Sequence, residues 1–117
     1  MRDLYDLLHA IKEKPAMYLG SPSVSNLFIF LIGYNFARRE QCIPITAQEQ
    51  KFLEFQPWLQ QRFSLSTSAS WARIILLYAV DEVQGFWLFF DLLTEFLQQS
   101  ISPIESKANS ISKSEAA

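Results

Sequence analysis

Lys14-Pro15-Ala16-Met17-Tyr18-Leu19-Gly20-Ser21-Pro22-Ser23 is the stretch where Pro, Gly and Ser punctuate a chain that otherwise reads as helix after helix. Pro15 disfavours helical geometry at Lys14 and so ends a first helix. Gly20 takes positive φ cheaply and is expected to make the turn. Either Ser21, with Pro22 at the first helical position, or Ser23 then caps a second helix. Pro15, Met17, Tyr18 and Gly20 are therefore expected to build a structural elbow. Tyr18 would plug it with its ring and place its hydroxyl on a backbone group.

Upstream of the elbow, Leu4, Leu7, Leu8 and Ile11 form the stripe of an amphipathic helix, with Asp3 as its N-cap and His9 facing solvent. Downstream, a second helix is predicted from about Val24 to Glu40. Leu27, Phe28, Phe30, Leu31, Tyr34 and Ala37 cover most of its circumference, so it reads as a central helix buried on several sides, with Gly33 admitting a close neighbour. Thr46 and Glu49 have capping-box spacing and open a third helix carrying Phe52, Phe55, Leu59 and Phe63. Pro57 within it predicts a kink or a division into two short helices. Ser70 caps a fourth helix bearing Trp71, Ile74, Ile75, Tyr78 and Ala79. Ile74 to Tyr78 alone also reads as a buried strand, but no second strand presents itself to pair with it. Asp81 and Glu82 open the last helix, whose stripe is Phe86, Phe89, Phe90, Leu93, Phe96 and Leu97. The expected fold is all-α: a compact bundle of about five helices in a single domain over residues 1–100, with a disordered tail over 101–117 where the composition turns to Ser, Lys, Glu, Asn and Ala.

Composition bounds the function. Half of the 117 residues are apolar and 15% are aromatic, ample for one core, and the net charge of -2 gathers in no long run. That pattern speaks against nucleic-acid binding, which leaves a basic stripe. The longest apolar run, Leu27 to Ile32, falls far short of the ~20 residues a membrane span needs, and Asp81 and Glu82 interrupt the apolar stretch from Ile74 to Leu93. Cys42 is the only cysteine. It forbids an intrachain disulfide and reads as a small, semi-buried hydrophobe of a chain in a reducing cytoplasm. His9 is the only histidine and has no sequence-local metal partner, and three glycines cannot make a phosphate loop. Asp91 and Glu95 lie one helical turn apart, a spacing more often met as a solvated face than as a catalytic pair. Neither an enzyme nor a metal or other cofactor is expected.

Two resemblances arise. Lys14 to Gly20 is similar to the Arg-Pro-Gly-Met-Tyr-Ile-Gly motif of type II topoisomerase ATPase subunits, which there helps to build an ATP site beside an acidic, Asn-containing helix and Gly-rich lids. Phe, Ile and Leu stand here where that helix would follow, and ATP binding is not expected. Over roughly Leu4 to Leu97 the chain resembles a family of small bacterial helical proteins with a Pro-Gly-Met-Tyr-Leu-Gly elbow. The resemblance is carried by Lys14 to Gly20, then Ser23, Leu27, Phe30, Leu31, Gly33 and Tyr34. Further along it rests on Phe52, Phe55 and Trp58, on Ser70-Trp71 with Ile74-Ile75-Leu76, and on Phe86, Phe89, Phe90, Leu92, Leu93, Glu95 and Phe96. Ala16, where the family has Gly, and Pro57 are departures. Members of this kind resemble immunity proteins of bacterial toxin systems.

The resemblance implies a non-enzymatic protein-binding module, an immunity protein that occludes a toxin. The acids Asp81, Glu82, Asp91 and Glu95 are the expected contact, since a basic nuclease toxin would meet them favourably; the same acids also suit capping and solubility. The alternative is a homodimeric structural or scaffolding protein joined through Trp87, Leu88 and Leu92. A third class, a helical small-molecule pocket, would be lined by Tyr18, Tyr34 and Trp71.

Overall fold

A computed structural model describes residues 2–101, and among them every regular element is an α-helix. These are α1 (Leu4–Glu13), α2 (Pro15–Leu19), α3 (Val24–Glu40), α4 (Ala47–Phe52), α5 (Phe55–Arg62), α6 (Trp71–Leu77) and α7 (Glu82–Ile101). The all-α bundle is as expected, with seven segments where about five were expected. The elbow itself closes into the one-turn α2, with Pro15 at its first position and Gly20 at φ 85° after it. The third expected helix divides at Leu53–Glu54, ahead of Pro57. Pro57 thereby falls in the first turn of α5, where its missing N–H removes no intrahelical bond. Of the expected tail, Ile101 is the last residue of α7, and the rest lies outside the described residues.

Side chains cap α1, α3, α4 and α6, whereas α2 and α5 start without a side-chain cap. Asp3 and Asp6 form a capping box on α1, Thr46 and Glu49 one on α4, and Ser23 and Ser70 accept from the backbone of Asn26 and Arg73. Ser23 is thus the cap that the elbow left open against Ser21. The starts of α1 and α4 also tie to each other: Thr46 Oγ1 donates to Asp3 at 2.8 Å, and Gln48 Oε1 accepts from the Tyr5 N–H at 2.8 Å.

The core is aromatic and built around Phe55, Phe86 and Phe89, all fully buried. The Phe55 ring lies edge-on to Trp71, Phe89 and Phe96 at 5.4–5.9 Å and stacks on Phe52 at 5.4 Å. α7 is the central element, packing on α3, α5 and α6. α3, expected at the centre, buries one stripe only: Val24, Leu27 and Leu31. Its remaining apolar residues are half-buried or face outward.

The close approach expected at Gly33 occurs elsewhere. A methyl group at Gly85 would stand 2.8 Å from Val24 Cγ1, so Gly85 lets α7 cross α3, whereas a methyl at Gly33 would meet nothing within 4 Å. Cys42 corrects a second expectation. It is exposed, at φ 55°, in the left-handed position just past α3.

Candidate partner-binding face

The elbow residues are brought together as a connector. Tyr18 is half-buried with its ring edge-on to Phe30 at 6.4 Å, and its hydroxyl receives a long 3.4 Å bond from Arg2 Nη1, a side chain where a backbone group was expected. Met17 points out, 67% exposed.

The four acids do not form one surface. Asp81 caps α7, its Oδ1 accepting from the Gln84 N–H at 2.9 Å. Glu82 reaches the start of α3, where Oε1 accepts from Ser23 Oγ and the Ser25 N–H, each at 2.9 Å, and Oε2 from Ser25 Oγ at 2.8 Å. Partial burial opposes ionisation of Glu82, but the bonds from Ser25 and Ser23 outweigh it and hold the carboxyl below its ordinary value. Glu95 pairs with Arg62 across α5 and α7 at 2.7 Å. Asp91 is exposed on α7. Two of the four are therefore tied to neighbouring elements, while Asp81 and Asp91 remain exposed.

The expected self-association patch also changes. Trp87 is exposed and Leu88 half-buried, but Leu92 is 4% exposed within the core and is not available to a second chain. Its position on α7 turns it inward because α7 is enclosed by three helices. Among the described residues, Trp71 borders a small hollow beside α3 without Tyr18 or Tyr34. Trp71 packs between Phe28 and Phe89, and Tyr34 lies under the Arg38 guanidinium at 5.4 Å.

A different surface emerges on α3. Ile29, Ile32 and Phe36 follow one another at i, i+3 and i+7 and are all more than half exposed, with Gly33 among them. Ile32 carries this ridge into a groove between α3 and α4. The groove has two adjoining hollows of about 240 and 170 Å³ that share Leu31, Asn35, Phe52 and Leu53. Ile43 and Ile45, from the α3–α4 connector, form the far wall of the larger hollow. Its base holds an ion pair: Arg38 Nε lies 2.7 Å from Glu49 Oε2, with the carboxylate side chain 8% exposed. Glu49 Oε1 caps the Thr46 N–H at 3.0 Å. The pair ties α3 to α4 beside the larger hollow.

This face was missed in the sequence because an apolar residue occupies nearly every position from Leu27 to Ile32, which reads as burial all round. The signal was the second stripe, Ile29, Ile32 and Phe36, running opposite Val24, Leu27 and Leu31 with a glycine inside it. Among the described residues no three His, Cys, Asp or Glu gather as a metal site, and no helix is long and apolar enough to cross a membrane. Set against protein-family models, curated proteins and solved structures, the chain finds no match.

Proposed function

We propose that this chain is a non-enzymatic protein-binding module that engages a protein partner through the outer face of α3 and the groove beside it. The carrying observation is the line of half-exposed Ile29, Ile32, Phe36 and Leu53 along one edge of the bundle, together with the groove beside it. Monomeric proteins seldom leave so continuous an apolar strip uncovered, and partner surfaces are where such strips occur. The resemblance to toxin-immunity proteins gives the proposal its specific form, a bacterial protein that occludes a cognate toxin. Of the acids that suggested a basic partner, Glu82 and Glu95 are engaged with neighbouring elements, and the apolar face offers the more continuous contact.

Tagged protein recovered from its native host should bring down one polypeptide in stoichiometric amount. Ile29→Glu and Phe36→Glu should each abolish that recovery, and Asp91→Lys should leave it unchanged. Recovery that survives both α3 substitutions, with the fold intact by circular dichroism, would remove the proposal.

A further inference from the structure

We infer that a second copy of this chain covers the outer face of α3, the two α3 helices crossing antiparallel near Gly33. The inference rests on the α3 face being a contact surface, and it names the occupant of that face in the free protein, one that a protein partner displaces when it binds.

Gly33 is the first observation. It sits mid-helix in a conformation that any residue adopts, and a side chain there would meet nothing within 4 Å. Glycine at such a position lowers helix stability relative to alanine, and no contact within the chain compensates. The gap it leaves among Ile29, Ile32 and Phe36 admits another helix closely.

Charge chooses the occupant. The N-terminal end of the ridge is acidic, because Ser25, one turn before Ile29, holds the Glu82 carboxylate. The other end carries Arg39, which makes no ion pair among the described residues. An antiparallel copy sets Arg39 of each chain toward the Ser25–Glu82 end of the other, twice per pair by symmetry. Glu40, beside Arg39, falls toward the uncharged Asn26. Helix dipoles also oppose in this arrangement and align unfavourably in the parallel one. Area suits a weak, reversible pair: the ridge with Leu53, Ile43 and Ile45 presents at most on the order of 600 Å² per copy, below the roughly 800 Å² per side of a standard interface.

Sedimentation of the full chain at rising micromolar concentration should give a dimer that weakens with salt. Gly33→Gln, which leaves the helix intact, should raise the dissociation constant by at least about tenfold, and Arg39→Glu should act in the same direction. Two native Cys42 thiols would lie at opposite ends of the crossing, roughly 25 Å apart, and should not form a disulfide between copies. Ile32→Cys in a Cys42→Ser background should form one readily. A chain that stays monomeric, a dimer indifferent to Gly33→Gln, or a Cys42–Cys42 disulfide overturns the inference. A monomer that still loses its protein partner on Ile29→Glu overturns it while leaving the proposed function standing. A dimer broken by Gly33→Gln, with partner recovery unaffected by Ile29→Glu, supports it and removes the proposed function instead.

Discussion

Tyr5 carries a buried hydroxyl with no hydrogen-bond partner among the described residues, although its own N–H is satisfied by Gln48. An unmet buried hydroxyl opposes folding by about 1–3 kcal/mol, so Tyr5→Phe should raise stability in urea by about 1 kcal/mol. Burial, followed by the charges of Asp3 and Glu54, pushes the Tyr5 hydroxyl above its usual 10.0. The unfolded chain therefore ionises first. The associated stability is complete below 10.0 and is lost as pH climbs through the folded value, a loss that Tyr5→Phe should abolish. The glycines give an opposed pair. Gly33→Ala, in open space, should stabilise the isolated chain by about 1 kcal/mol at concentrations where it is monomeric. Gly85→Ala drives a methyl into Val24 and should destabilise by about 1–3 kcal/mol. Equal effects at the two positions, by chemical denaturation, would refute the assignment of the helix crossing to Gly85.

Helix starts were legible in the sequence, and α1 and α3 also end where expected, at Lys14 and Glu40, but the way α3 and α5 close was not legible, for a local reason. A start is written by a side chain next to the backbone it caps, and Asp3, Thr46 and Ser70 cap where their spacing said they would. The ends of α3 and α5 use a left-handed residue closed by a bond from the next N–H: Ile43 to Arg38 O at 2.9 Å, and Leu65 to Gln60 O at 2.8 Å. Glycine usually fills that position, but Cys42 and Ser64 fill it here at φ 55°. No glycine announced either closure, and Cys42 was read as a half-buried hydrophobe. A side chain in this conformation is disfavoured by about 1–2 kcal/mol, partly offset by the greater freedom of unfolded glycine. Cys42→Gly and Ser64→Gly should each raise the urea midpoint, by about 0.5–1 kcal/mol in stability. Between elements, Arg38→Met should destabilise by about 3 kcal/mol through the Glu49 charge it strands, and adding Glu49→Gln, which removes the charge and keeps the acceptor for the Thr46 N–H, should recover part of the loss. A double substitution no better than the single one would deny the two side chains a shared role.

At the scale of the molecule, apolar pattern identified the helices but not their rank. α3 and α7 are both apolar around much of their circumference, and only the assembled bundle places α7 inside and leaves a face of α3 open. The partner face was hidden for the same reason, since exposure is a property of neighbours and not of a residue. Glu82 connects the two helices. It reads in the sequence as an acid favouring its own helix start, yet its carboxylate lies on the start of α3, held by Ser23 and Ser25 next to the Gly85–Val24 crossing. Two helix N-termini thus share one negative charge. Because the folded carboxyl lies below its usual value, the unfolded chain takes up the proton first as pH falls. The stabilisation is present above the usual carboxylate range and is lost as pH drops through the folded value. Glu82→Gln should lower the melting temperature at neutral pH, and the gap from the native chain should narrow through the acid range. Glu95→Gln tests whether this is specific to the α3–α7 junction. Its exposed pair with Arg62 is screened by solvent, so its effect at neutral pH should be smaller and should shrink with added salt, whereas the Glu82 effect should persist. A Glu82→Gln gap that is independent of pH, or no larger than that of Glu95→Gln, would mean that the shared charge does not hold the two helices together.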